Sequence, residues 1–279
     1  MRVTEGTNAV PVPDALWSDL TGGIDMVVAL MLGREGSKGF PGKNIYPVLG
    51  RPMMTYPLLA AHEAKGVDEV YVSTDSDRIK NVALENGAKV IERPPELATK
   101  EALGEDAYAH GYRFIRDQLG KTPELFVLLF CNAPTIIAET IDEGIRVLLE
   151  DPSLDSAVTV SAYNMWSPIR ARKEGPDGLL HPFVPLDSFM DLKAINCDRD
   201  SQGDVYFADM SVSIVRPRCL EDFNSGTLPQ RWMGRRIYPL KQWGGCDVDY
   251  AWQIPGIEHW LREHGFTDSS VPYRDKKSD

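Results

Sequence analysis

The chain has 279 residues, 43% of them apolar and 25% charged, and a formal net charge of −11. Such a chain can bury a substantial core as one α/β domain of ordinary size, with or without an insertion. The acidic balance argues against general affinity for DNA, RNA or an anionic membrane surface, though not against one anionic ligand held in a locally basic pocket. No apolar run reaches the length needed to cross a membrane. The first residues, M-R-V-T-E-G-T-N-A-V-P-V-P, lack the apolar stretch of a secretory signal, so a cytoplasmic location is expected. Cys131, Cys197, Cys219 and Cys246 form no C-x-x-C pair and read as reduced thiols. The five histidines are scattered, and a histidine metal site is not expected.

In chain order, residues 1–23 read as a flexible N-terminal extension and residues 24–266 as the folded domain. Residues 26–32 (M-V-V-A-L-M-L) form a continuous apolar run, which suits a strand buried on both faces. A glycine-rich loop follows at once. Residues 53–65 predict a helix closed by Gly66, residues 69–73 a strand ending in T-D-S-D, and residues 77–86 a helix closed by Gly87. A short strand at 89–92, a longer helix at 101–119, a strongly apolar strand at 125–130, a helix at 137–150 and a strand at 156–161 continue the alternation. The rhythm breaks at about 163–201, where Pro168, Gly175, Pro176, Gly178, Pro182 and Pro185 are interspersed, and this stretch reads as an inserted dimerisation or substrate lobe. Strands at 205–208 and 212–215 follow, then a strand-like or loop segment at 246–249, a helix near 254–264 and a flexible tail over 267–279. The pattern predicts a three-layer α/β/α, Rossmann-like domain with a mainly parallel sheet, and the loops after Leu32, Ser73 and Phe130 should meet at the carboxyl ends of the strands, where such sheets bind ligands.

The loop after the first strand reads G-R-E-G-S-K-G-F-P-G-K-N, residues 33–44. Glycines let a backbone approach a phosphate and turn its N–H groups inward. Arg34, Lys38 and Lys43 add cations, and Asn44 offers an amide that could read a base or ribose. The loop is neither the P-loop pattern nor the dinucleotide-binding one, and a lone G-S-K-G would more often be a solvated turn.

The whole string, placed after the first strand, resembles the signature of the acylneuraminate cytidylyltransferases, the CMP-sialic acid synthetases. V-Y-V-S-T-D (residues 70–75), E-R-P-P-E-L-A-T (92–99), S-Q-G-D-V-Y (201–206) and D-V-D (247–249) are similar to further segments of that family in the same order, over roughly residues 26–264. The resemblance implies a cytidylyltransferase that moves CMP from CTP to an acidic acceptor. It places Gly33, Arg34, Gly36, Ser37 and Lys38 in the phosphate-binding loop, Lys43 and Asn44 facing the nucleotide, and Arg93 helping to hold it. Arg34, Lys38 and Asp247 take the catalytic roles. Related enzymes are commonly dimers, so a homodimer is expected.

Asp247 and Asp249 alternate along an extended segment, which turns both carboxylates to one face, where they repel unless a cation lies between them. Mg²⁺ suits such a pair, since it takes oxygen ligands and commonly joins carboxylates to substrate phosphates. Asp75 and Asp77 form a second pair near the expected site, but Asp77 equally suits a helix N-terminus, so the metal is assigned to Asp247 and Asp249.

The sequence departs from the family after the central strand. Where the family carries Q-P-T-S-P-L-R, this chain reads F-C-N-A-P-T-I, with Phe130 at the glutamine position, Ile136 at the arginine position and only Pro134 retained. These changes lie on the acceptor side more than on the nucleotide side. Arg170, Arg172, Arg199 or the cluster of Arg231, Arg235, Arg236 and Lys241 could replace the lost cation, although each alone reads as a solvated surface group.

Overall fold

The computed structural model describes residues 26–36, 39–188 and 191–273. The expected extension, residues 1–23, lies outside the described residues, as do Ser37 and Lys38.

The chain alternates strand and helix through its first half. β1 is Val27–Leu32, and a small hairpin of β2 (Pro47–Val48) and β3 (Arg51–Pro52) leads into α1 (Thr55–Glu63). Then come β4 (Glu69–Thr74), α2 (Asp77–Glu85), β5 (Lys89–Glu92), α3 (Gly104–Leu119), β6 (Leu125–Phe130), α4 (Ala138–Glu150) and β7 (Ser156–Ala162). The exposed hairpin β8 (Arg172–Glu174) and β9 (Leu180–Pro182) forms its own two-stranded sheet inside the stretch expected as an inserted lobe. β10 (Tyr206–Val215), α5 (Arg218–Glu221), β11 (Ile237–Gln242) and α6 (Ile254–Glu263) complete the order.

The seven-stranded central sheet runs β11-β7-β10-β6-β1-β4-β5. Its pairs are parallel except those made by β10, which runs antiparallel to both β6 and β7. The fold is thus the expected three-layer α/β/α arrangement with a mainly parallel sheet. Successive residues of a strand point to opposite faces, and β1 shows this directly. Val27, Ala29 and Met31 enter one core with α1, α2 and α4, whereas Val28, Leu30 and Leu32 enter the other with α3 and α5. A third cluster joins Val48, Tyr56 and Val248 to α6 through Ile257 and Trp260.

Three expectations are corrected. The two short strands around 205–215 are one strand, kinked where Met210 adopts φ 65° and the pairing with β7 shifts register. β11 was not foreseen: only Leu240 and Gln242 of its six residues are buried, so no apolar run marks it. Of the expected tail, residues 267–273 are held against the domain, where the Tyr273 ring packs edge-on against Phe266 and its hydroxyl accepts the Ala138 N–H at 3.3 Å, and residues 274–279 lie outside the described residues.

Candidate nucleotide site

β1, β4, β5 and β6 all present their carboxyl ends to one edge of the sheet, and the loops leaving them build the site. Gly33 begins the first loop. A Cβ there would stand 2.4 Å from the Cys131 sulfur, so glycine is what lets the chain leave β1 beside the end of β6. Glu35 donates its N–H to Asp75 at 3.0 Å, and the Ser76 hydroxyl donates back to the Glu35 carboxylate. Asp75 therefore anchors the first loop, while Ser76 also caps α2 and Asp77 lies in that helix's first turn. Gly36 and Gly42 adopt φ +84° and +75°, the left-handed region in which glycine is unstrained.

Arg34 reaches from this loop across to the R-P-P-E-L-A-T segment, donating to the carbonyls of Thr99 at 2.9 Å and Ala98 at 3.4 Å. Asn44 is buried and donates its amide to the Arg34 carbonyl at 3.1 Å. Arg93, only 7% exposed, donates to the Ser73 hydroxyl at 3.2 Å and to the Ser73 carbonyl at 2.6 Å. Burial pulls its guanidinium below its ordinary pKa, against the field of Asp75. Among the described residues no carboxylate pairs with it. A buried cation without a counter-charge is costly, and an anionic ligand is what relieves the cost.

Arg34, Lys43, Asn44 and Arg93 line one cavity of about 270 Å³, with Phe130 and Asn132 on its far side and Leu103 and Ala107 of the α3 end forming an apolar wall. Among the described residues, three cations and no carboxylate line it. The volume and the mixed lining suit a small anionic ligand with one flat or apolar part.

The D-V-D segment closes this edge. Val248 is fully buried, with half-buried Asp247 before it and exposed Asp249 after it. The segment is not a strand. Asn132, from the loop after β6, fastens it at Val248. Gln253 accepts the N–H groups of Asp249 and Tyr250, both at 2.8 Å. Lys43 pairs with Asp249 at 2.6 Å, and a Cβ on Gly39 would lie 2.9 Å from the Asp249 carbonyl oxygen, so the first loop is in contact with Asp249. Burial raises the Asp247 pKa, and the neighbouring Asp249 charge raises it further, while Lys43 and Asn132 draw it back. A carboxylate pressed upward by its neighbour is the setting in which a cation is favourable. Among the described residues no three His, Cys, Asp or Glu side chains gather to hold a metal. Two carboxylates with nucleotide oxygens still fit Mg²⁺, which ordinarily keeps substrate and water among its ligands.

The residues singled out from the sequence thus divide. Gly33, Arg34, Lys43, Asn44 and Arg93 meet around the cavity, and Lys43 ties Asp249 to it. None of the proposed replacement cations lines it. Arg235 and Arg236 donate their N–H groups to Asp155, at the opposite edge of the sheet. Arg170 and Arg172 bind backbone carbonyls of the lobe, Arg199 pairs with Asp200, and Lys241 sits 4.7 Å over the Tyr206 ring. Ile136 is buried in the core, so the arginine position is filled by packing. Sequence reasoning missed Ser73, Asn132 and Gln253. Ser73 and Asn132 stand inside motifs already marked, whereas Gln253 carries no signal beyond lying four residues after Asp249.

Comparison with known proteins falls on the same loops. Residues 28–110 match the family model described as Cytidylyltransferase. This segment holds Gly33, Arg34, Lys43, Asn44 and Arg93. The 8-amino-3,8-dideoxy-manno-octulosonate cytidylyltransferase of Shewanella woodyi is 35% identical over 135 residues, 48% of this chain and 52% of that protein. The N-acylneuraminate cytidylyltransferase of Streptococcus agalactiae serotype III is 38% identical over 111 residues, 38% of this chain and 25% of that protein. The chain spans about half the length, or less, of these curated relatives. In three dimensions it resembles a CMP:2-keto-3-deoxy-manno-octonic acid synthetase complexed with CTP, with TM-score 0.60 and 17% identity over 85% of this chain and 99% of that one. A 4-diphosphocytidyl-2C-methyl-D-erythritol synthase from Anaerococcus prevotii gives TM-score 0.58 at 13% identity over 88% and 99%. At these identities the likeness is one of fold. Among the described residues no helix is long and apolar enough to cross a membrane.

Proposed function

We propose that the protein transfers CMP from CTP to an acidic acceptor, a sialic-acid-like or other 2-keto sugar acid, with release of pyrophosphate. The observation that carries this reading is Arg93. It is a buried guanidinium with no carboxylate partner among the described residues, facing a cavity shared with Arg34, Lys43 and Asn44, within the segment that matches the cytidylyltransferases.

In the reaction an acceptor hydroxyl oxygen bonds to the α-phosphorus, the bond from that phosphorus to the bridging oxygen breaks, and pyrophosphate leaves. The hydroxyl proton passes to solvent or a base. The protein's part is to align the groups and offset charge that builds on the phosphates. Arg34 and Lys38 are assigned to the triphosphate and departing pyrophosphate, with the backbone at Gly33, Gly36 and Ser37 cradling it. Arg93 and Asn44 hold the nucleotide, and Lys43 neutralises Asp249 until the ligand arrives. Asp247 and Asp249 would hold Mg²⁺, which supplies charge neutralisation and lowers the pKa of a hydroxyl it binds.

The protein is read as cytoplasmic and as a homodimer in which the lobe near 163–201 reaches its partner's site. Exposed Trp166, Leu180 and Phe183 on that lobe support an interface. A second reading keeps CTP and changes the acceptor to a non-sugar acid such as a phosphonate, and a third joins a different nucleotide to a sugar 1-phosphate. Phe130 and Ile136, which replace the family's polar amide and cation, favour a changed acceptor.

Pyrophosphate release with each of four nucleoside triphosphates, Mg²⁺ and a panel of sugar acids, phosphonates and sugar phosphates tests the proposal. CTP-specific turnover with a sugar acid is expected, and Lys38→Ala should nearly abolish it in a folded protein. Turnover only with another nucleotide refutes the reading. Tight CTP binding without turnover would instead indicate a nucleotide-binding module.

A further inference from the structure

The segment that carries Asp247 has no strand to hold it, and its backbone is pinned almost wholly by side chains. The Gly245 N–H donates to the Ser161 hydroxyl at 3.0 Å, and the Gly245 carbonyl accepts from Tyr163 at 2.9 Å. The Cys246 N–H donates to the Thr135 hydroxyl at 3.1 Å, and the Asp247 carbonyl accepts from Gln253 at 3.2 Å.

Two of these pins trace back to one buried charge. Asp209, 4% exposed, accepts from the Ser161 hydroxyl at 2.8 Å, from the Gln242 amide at 2.9 Å and from the Ser211 N–H at 3.1 Å. The same Gln242 amide shares its hydrogens with the Thr135 carbonyl at 3.2 Å and the Ser211 hydroxyl at 3.1 Å, and Ser211 bonds in turn to the Thr135 hydroxyl at 2.8 Å. Gln242 serves these acceptors with its own Oε1 buried and unpartnered. Turning the amide over would point Oε1 at the Asp209 carboxylate and the Thr135 carbonyl, so the charge selects the orientation.

The backbone is shaped around this network. Asp209 stands beside Met210, which holds φ 65° at the kink of β10. Strained positions of that kind persist where their surroundings over-determine them, and they gather at functional sites. A Cβ on Gly245 would lie 2.3 Å from the Asp209 carboxylate and 2.4 Å from the Gln242 nitrogen, so the segment leading to Asp247 rests directly on the charge.

We propose that Asp209 is a positioning residue for Asp247: it orients Ser161 and Gln242, and through them and Thr135 it fixes the backbone from Gly245 to Asp247. Its task is to set where the Asp247 carboxylate stands relative to Asp249 and Lys43, without touching the substrate. The role assigned to Asp247 rests on the functional reading above, whereas the mechanical link from Asp209 to the segment does not.

The test compares the full-length protein with Asp209→Asn and Ser161→Ala. Asp209→Asn turns one acceptor oxygen into a donor facing donors. Ser161→Ala cuts the link to Gly245 and leaves Asp209 bonded to Gln242 and Ser211, so it serves if the first variant fails to fold. Amide hydrogen exchange is read at residues 244–248, with β1 as the reference. Exchange about tenfold faster in that segment, with β1 unchanged, is expected from loss of one net hydrogen bond. In turnover assays the Mg²⁺ concentration for half-maximal rate should rise about tenfold, the usual scale for losing an outer partner of a metal ligand. Unchanged exchange at 244–248 overturns the proposal, as does acceleration shared equally by β1, which would mark Asp209 as a general stabiliser. If the wild-type protein turns over no nucleotide, the functional reading fails by itself, and the exchange comparison still decides the link.

Discussion

Asn132 and Val248 exchange two hydrogen bonds: the Val248 N–H donates to the Asn132 carbonyl at 2.8 Å, and the Asn132 amide donates to the Val248 carbonyl at 3.0 Å. This clasp joins the end of β6 to the D-V-D segment, although the two are more than a hundred residues apart. Asn132→Ala leaves a buried carbonyl unpaired and should cost about 1–3 kcal/mol in denaturant unfolding. Asn132→Asp sets acceptor against acceptor and adds a charge beside Asp247, so it should weaken CTP binding more than alanine does. Calorimetric titration with CTP showing wild-type affinity for the aspartate variant would refute the clasp's role.

Arg93 should give effects of opposite sign on binding and folding. Its guanidinium is buried with no carboxylate partner among the described residues, so it is costly without a bound anion. Arg93→Met should therefore leave the thermal midpoint of the nucleotide-free protein unchanged or higher. The same variant should lose at least about tenfold in CTP affinity, the scale of one charged hydrogen-bonding contact. A variant that is destabilised yet binds CTP normally would show Arg93 to be a structural residue.

For Asp247 the same contrast applies through repulsion. Burial and the Asp249 charge both disfavour its ionised form. Asp247→Asn is expected to hold or raise stability without nucleotide, while pyrophosphate release falls at least about 100-fold, as for loss of a group aimed at transition-state charge. Asp249→Asn should act similarly on turnover. Its exposed pair with Lys43 should contribute no more than about 1 kcal/mol to folding. Wild-type turnover in either variant removes that residue from the site.

Asp142 supplies a pH test away from the chemistry. It is buried at the junction of α1 and α4, where it accepts the N–H groups of Gly66 and Lys65 at 3.0 and 3.2 Å, and burial raises its pKa to about 6. A carboxyl whose folded pKa lies above its unfolded value favours folding fully below the unfolded pKa of 3.8 and loses that contribution as pH rises through about 6. Asp142→Asn carries no such titration. The thermal midpoint of the variant minus that of the wild type should grow from pH 4 to pH 7, by on the order of 1–3 kcal/mol in stability. A difference that stays flat across this window would contradict the burial argument.

Much of the fold was readable because its strands are apolar on both faces and its loops are marked by glycine. β1 and β6 announced themselves in this way, and the phosphate loop follows β1 directly. β11 did not, since only two of its six residues are buried and its neighbour β7 supplies the pairing. The two halves of β10 looked like separate strands because the kink at Met210 interrupts the pattern. In the site, charge and glycine flagged Arg34 and Lys43, and the resemblance of the R-P-P-E-L-A segment flagged Arg93, but Asn132, Ser73 and Gln253 act through hydrogen bonds between separate segments. That function depends on which loops meet in space, and no local spacing encodes it.

The sheet order has a consequence for how such a protein diverges. β1, β4 and β5, with the loops that carry Arg34, Asn44 and Arg93, lie together on one flank, while β7, β10 and β11 occupy the other. Between the flanks runs β6, paired with β1 on one side and with β10 on the other. Substitutions on the far flank can therefore accumulate away from Arg34, Asn44 and Arg93, whereas a change at Phe130, which lines the same cavity as they do, is felt on both sides of that strand.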